Sequence, residues 1–186
     1  MSIRTVVEFE DIMQPLIVSI LGWSLTTNNV RIGWQTEGAP AFKITDNMIF
    51  LTASPIDNRI NREHNILLEE SSPDLLMTKG YTRIMELSVV AYGSNALLNL
   101  DKIIFGMFSD SVRASLKQND IYLVPDVAAP RRLPELFQAQ WWERADMKLQ
   151  FSELLTDETN INVVRSVHVE VQNKDGLLDE FTVENL

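Results

Sequence analysis

The chain contains no cysteine, which excludes disulfides, thiolate zinc sites and cysteine nucleophiles. Histidine is nearly absent too: only His64 and His168 could serve as imidazole bases. The seven glycines never take the GxGxxG or GxxxxGK[S/T] spacing that cradles phosphate, and HExxH is missing. No segment approaches the roughly 18 apolar residues that span a bilayer; the longest, Pro15 to Trp23, is interrupted by Ser19 and Gly22. A basic excess is lacking as well. The formal net charge is −10, so the overall field repels phosphate and does not make a nucleic-acid binder. At the N-terminus Arg4 is followed by Glu8, Glu10 and Asp11, the reverse of a secretory leader. The expectation is a chain without a membrane segment, assembled in a cytoplasm.

What is present is an ordinary globular balance, 45% hydrophobic and 23% charged, in a chain of 186 residues, a length that fits one domain with a sizeable core. Thr5 and Glu8 have capping-box spacing, and Ile12, Leu16, Ile20 and Trp23 recur at helical period, predicting a helix over 6–23. Pro15 either kinks that helix or lies in the first turn of a shorter one. Short strands are predicted at 30–34 and 48–53, with a loop at 37–40. Residues 56–78 are read as an extended hairpin or a long loop. Residues 81–92 alternate as a strand, turn at Gly93 and lead to a helix over 94–109 capped by Ser94. A short helix near 111–117, a strand at 121–124 and a stiff Pro-Arg loop at 125–134 follow. Residues 140–152 alternate cleanly: Ala145, Met147, Leu149 and Phe151 on one side, Arg144, Asp146, Lys148 and Gln150 on the other. That parity puts Trp141 on the apolar face and Trp142 on the polar one. An acidic turn at 153–160, a strand at 163–172 and an apolar tail from 173 complete the chain; the tail either pairs as a last strand or docks on a neighbour. The predicted class is α+β: a single antiparallel sheet flanked by helices, with a long hairpin or loop extension.

Candidate chemistry is sparse. Ser166, His168 and Glu170 alternate along one strand face, where side chains stand parallel rather than converging as a triad requires. The pairs Glu69-Glu70, Asp157-Glu158 and Asp179-Glu180 read as solubilising charge. A catalytic metal held by scattered carboxylates is one alternative, with no spacing that marks it. Protein-facing surface is better represented. Trp142 and Arg144 share a polar face, with Arg131 and Arg132 just upstream, and Trp and Arg dominate binding hot spots. The competing reading has Trp142 capped by its own Pro-rich loop. Arg59 and Arg62, in the 56–78 segment, are the other interface candidates. Catalytic, cofactor-binding and metal-binding residues are not predicted.

The order of these pieces resembles the neck or tail terminator proteins of tailed bacteriophages. The resemblance runs through "FEDIMQPLIVSILGW", "VRIGWQTEGAPAF", "MIFLTASPIDN", "YTRIMELSVVAYGSNALLNLDKIIFGMF", "LKQNDIYLVPDV", "QWWERADMKLQFS" and "INVVRSVHVEVQ", covering residues 8–172. Tyr92-Gly93-x-Asn95-Ala96 and Arg144-x-Asp146 are its most family-like fragments. Pro15 inside the first helix and the long Pro-Arg segment depart from the pattern. The resemblance implies a structural virion protein, not an enzyme, with no cofactor. It implies a homo-oligomeric ring, a hexamer, at the neck. That ring ends the tail tube and joins it to the head connector or adaptor, contacts the tube and, in a contractile tail, the sheath, and lets genomic DNA through its lumen without specific binding. A connector adaptor or a tail-tube protein is the alternative. On this reading Trp141 packs inward on the 94–109 helix, while Trp142 and Arg144 face a neighbouring subunit.

Overall fold

The computed structural model describes residues 4–33, 38, 40–71, 74–162, 166–173 and 176–184. Helix α1 spans Val6–Leu21. The Glu8 N–H donates to Thr5 Oγ1 at 3.2 Å and the Thr5 N–H donates to Glu8 Oε2 at 2.6 Å, so the capping box forms as the spacing predicts. That backbone bond from Thr5 holds the Glu8 carboxyl below the usual range. Pro15 lies inside the helix on its exposed side, not in a first turn. Its cost of about 3 kcal/mol is offset by burial of Phe9, Met13, Ile17, Val18 and Leu21. Gly22, at φ 68°, ends the helix, its N–H and that of Trp23 closing on the carbonyls of Ser19 and Val18.

Strands β1 (Val30–Ile32), β2 (Met48–Pro55), β3 (His64–Ser71) and β4 (Asp74–Tyr92) precede helices α2 (Ala96–Met107) and α3 (Asp110–Lys117). Then come β5 (Ile121–Leu123), β6 (Arg131–Arg132), β7 (Glu135–Phe137), β8 (Gln140–Trp142), β9 (Arg144–Ile161), β10 (Ser166–Asn173) and β11 (Gly176–Glu184). The main sheet is open and runs β1-β2-β4-β9-β5, with β3 added to β4 and β6 to β9. Only β1–β2 is parallel in it. Two ribbons, β7–β8 and β10–β11, stand apart as separate two-stranded sheets.

The three helices cover one face of the main sheet. Ile49, Leu51, Met85, Leu87, Val89, Met147, Leu149 and Phe151 meet Phe9, Met13, Ile17, Leu100, Ile103, Met107, Val112 and Leu116 there. The period-two burial of 145–151 is the one the sequence carries. Phe9 and Phe151 stack edge-on at 5.7 Å. Helices α1 and α2 come close where Gly106 meets Ile20: a Cβ on Gly106 would lie 2.4 Å from Ile20 Cγ2. Gly106→Ala gains about 1 kcal/mol of helix propensity and loses more to overpacking, so a net loss of about 1–2 kcal/mol is expected in urea unfolding. A variant more stable than wild type would show that the two helices separate freely.

Several sequence expectations are corrected. Asn95, not Ser94, caps α2, without a side-chain bond; Gly93 instead takes the tight turn at φ 100°, where a Cβ would sit 2.5 Å from the Asp46 carbonyl oxygen. Residues 153–160 are not an acidic turn but the continuation of β9, paired throughout with β4. Of the two readings of residues 56–78 the hairpin is the one that forms: a short 3-10 turn at Arg59–Arg62 leads into β3, which pairs antiparallel with the start of β4. The Pro-Arg loop contains the short strand β6. The strand expected at 163–172 does not close the main sheet: β10 pairs antiparallel with the apolar tail as β11. Trp34 and Glu37, and Val163, Val164 and Arg165 of that strand, lie outside the described residues.

Candidate subunit-contact surfaces

The tryptophan segment is two elements, not one. Gln138 and Ala139 take positive φ of 50° and 58°, so β7 and β8 close a two-residue hairpin of the type that fits strand twist. Glu143 then separates β8 from β9. Trp142 keeps the face that parity gives it, with Arg144 over the same Tyr92 ring, but that face is covered there. Trp142 turns inward, its ring 5.4 Å from Phe42 and 6.2 Å from both Tyr92 and Phe137, on the sheet face away from the helices. Trp141 is 66% exposed and lies directly across from Leu136, itself 58% exposed. Trp141 therefore does not pack on α2, and Trp142 is half-buried; its buried Nε1 has no hydrogen-bond partner among the described residues.

Arg144 ties the ribbon to the sheet. Its Nε and Nη2 donate to the two Asp146 oxygens at 2.8 and 2.7 Å, and its Nη1 donates to Glu135 Oε2 at 3.1 Å. The guanidinium also lies over the Tyr92 ring, 5.9 Å from its centroid. Tyr92 donates its hydroxyl to Glu135 at 2.9 Å. Burial, then that bond, pushes the Tyr92 phenol up to about 12, while bonding to Asp146 raises Arg144 further above its already high value. Because the folded value lies above the unfolded one, near 10, this contribution to stability is complete below pH 10 and is lost as pH rises towards 12. In alkaline titration followed by phenolate absorbance, Tyr92→Phe is expected to remove a component near pH 12. Loss of only components near 10 would contradict the burial.

The remaining predicted residues fall in two places. Arg132 pairs with Glu143, and Arg131 is exposed with no partner among the described residues. Both sit beside the ribbon, since β6 pairs with Asp146 and Ala145 of β9. Arg59 is exposed, again without a partner among the described residues; Arg62 pairs with Asp57 at 2.6 Å on the surface, where such a pair contributes little. These two pack near Ile84, where Asn61 accepts the Ile84 N–H. Tyr92 is roughly 27 Å further along β4, so the six candidates do not form one patch.

The largest uncovered surface is an arm. Residues 64–71 of β3, 74–81 of β4 and 155–161 of β9 form three strands that run on past the helices. The alternation of the core continues along it. Ile66, Leu68, Leu75, Met77 and Ile161 fall on the face that the helices cover lower down; Leu67, Leu76 and Leu154 fall on the other. All of residues 64–70 are exposed, including Ile66, Leu67 and Leu68 at 62%, 56% and 55%. A three-stranded extension gains stability when a layer packs on its apolar face, and a contiguous apolar surface of this kind is a candidate interaction site. Sequence reasoning marked the segment but did not single out Ile66, Leu67 and Leu68 as exposed apolar side chains, nor Trp141 and Leu136. The run of three adjacent apolar residues between polar ones was the available signal.

Elsewhere, His168 on the β10–β11 ribbon is exposed, with Nε2 3.5 Å from Glu170 Oε1 and Nδ1 3.2 Å from Thr182 Oγ1. Among the described residues no group of three His, Asp or Glu side chains is placed to hold a metal, and no helix is long and apolar enough to cross a membrane. No curated protein matches the chain. A family model described as phage neck terminator protein matches residues 7–176.

Proposed function

Because the chain belongs to the phage neck terminator family, and so is a structural protein of the virion neck that works among other head and tail proteins, we propose that its copies close into a ring. The ring has about six subunits, as the sequence resemblance implies. It ends the tail tube, joins it to the head connector and lets DNA pass through an open centre. The observation that supports this reading is the bare arm, whose two apolar-bearing faces are left open by the described residues. The net charge of −10 agrees with a lumen along which DNA slides without sticking. Trp141 and Leu136, with Arg131 and Arg132 alongside, form a second contact surface, and Arg59 and Arg62 a third beside the arm's base.

The test is the mass of the purified protein by light scattering behind gel filtration, with negative-stain images, alone and mixed with tail tubes. Single rings or pairs of rings are expected, free or capping tube ends. Long stacks of rings would identify a tube protein instead. A monomer that also ignores tube ends would overturn the ring.

A further inference from the structure

We infer that the arm of one copy docks in a groove between α3 and β5 of the next copy. This rests on the ring reading and names the contact that builds it. The arm is acidic as well as apolar: Glu69, Glu70, Asp157 and Glu158 are exposed on it against one exposed cation, Lys79. The groove, about 580 Å³, is lined by Phe108, Arg113, Lys117, Tyr122, Leu123 and Pro125 among others, with no carboxylate in its lining. Arg113 and Lys117 are exposed and have no partner among the described residues. Phe108 and Tyr122 are 44% and 46% exposed, apolar surface beside two cations that stand one turn apart on α3. A larger hollow beside α1 and α2 is lined by Asp101 as well as Lys102, which makes it the poorer match to an acidic arm.

The geometry favours a head-to-tail contact. Arm and groove are different surfaces of the same chain, so each copy offers one and receives the other, the arrangement that closes into a ring when the rotation closes. The size is adequate. Three strands about 4.8 Å apart and eight residues long present roughly 400 Å² per face, so two faces together reach roughly the 800 Å² per partner of a standard interface. Charge also argues against arm meeting arm, because like charges brought together at an interface are unfavourable.

The absence of cysteine makes the test clean, since every disulfide would be a designed one. Thr159→Cys on the arm and Ala114→Cys in the groove, both exposed positions, leave the named charges intact. The two single variants are mixed under conditions that give rings in negative stain, free or on tail tubes, then mildly oxidised. A covalent dimer at least tenfold more abundant in the mixture than with either variant alone is expected. A second arm of the experiment reverses charge: Glu69→Lys with Glu70→Lys is expected to cut ring yield at least tenfold, and adding Arg113→Glu with Lys117→Glu to restore it. Intact rings without the mixed cross-link would overturn the docking while leaving the ring standing. Predominant Thr159→Cys self-linking would place arm against arm and overturn it equally. Absence of rings in the wild type under every condition would bring down both readings.

Discussion

Replacing Glu153 with alanine is expected to cost about 3 kcal/mol or more, the loss that follows when one partner of a buried ion pair is removed. Glu153 is fully buried on the helix side of β9. It accepts from Arg4 Nη1 at 3.1 Å and from Arg83 Nε at 2.5 Å. Arg4 in turn donates to the Asn119 carbonyl and Arg83 donates to the Arg4 carbonyl, each at 2.7 Å. One carboxylate thus joins the N-terminus, the end of α3 and the two longest strands. Alanine would leave two guanidiniums facing each other over a void. Their partial exposure, 22% and 14%, lets water relieve some of this, so the value lies near the low end of the about 3–5 kcal/mol range. In a thermal melt that is roughly 6–12 °C for a chain of this size. Arg4→Ala should cost less, because Arg83 still neutralises the carboxylate. A Glu153→Ala melt within 2 °C of wild type would mean that the cluster contributes no net stability.

Trp142→Ala and Trp141→Ala are expected to fail in opposite ways. Trp142 fills the space between Phe42, Tyr92 and Phe137, so truncating it should cost about 2–4 kcal/mol, somewhat below a fully buried tryptophan, and should release the β7–β8 ribbon. Trp141 lies in solvent across from Leu136. Its removal should change stability by no more than about 0.5 kcal/mol, yet lower ring yield at least tenfold if it anchors a contact. Urea unfolding measures the first effect and negative-stain particle counts the second. The reverse pattern, an unstable Trp141→Ala and a well-folded Trp142→Ala that fails to assemble, would mean that Trp141 is the packed ring and Trp142 the free one.

Those two tryptophans also show where sequence reasoning stops. Alternation is a sound guide along an unbroken strand, and residues 145 to 151 obey it. Across Glu143 it still gives the face of Trp142 but not the burial of either tryptophan, because nothing in the local pattern announces that β8 belongs to a hairpin turned by Gln138 and Ala139, residues without the usual glycine. Thr5 and Glu8 were readable because both halves of a capping box lie within one turn. Glu153 was not, since its partners Arg4 and Arg83 stand 149 and 70 positions away. The acidic stretch around Asp157 and Glu158 looked like a turn because charged residues disfavour strands; pairing with β4 overrides that preference. The 3.6-residue stripe of α2 was legible, whereas its cap was not: Ser94 has the right chemistry, but the turn at Gly93 hands the capping position to Asn95. Among the interface candidates, Arg144 makes three bonds within its own chain and lies over Tyr92, which makes it a fastener of the ribbon to the sheet.

Strands β4 and β9 are hydrogen-bonded to each other without a break from Tyr92↔Arg144 to Leu75↔Ile161, and this single ladder sets an order of assembly within the chain. The body end joins positions 92 and 144, the arm tip positions 75 and 161, so closing the tip first would cost about 0.4 kcal/mol more in loop entropy and would bury no core. The ladder therefore zips outward from the body and frays inward from the tip. Along one and the same strand, amide hydrogen exchange should slow from residue 76 to residue 89, the inner amides opening only with global unfolding and the outer ones by local fraying. A newly made subunit would carry its least protected backbone at the arm tip, the part proposed to dock on a neighbour.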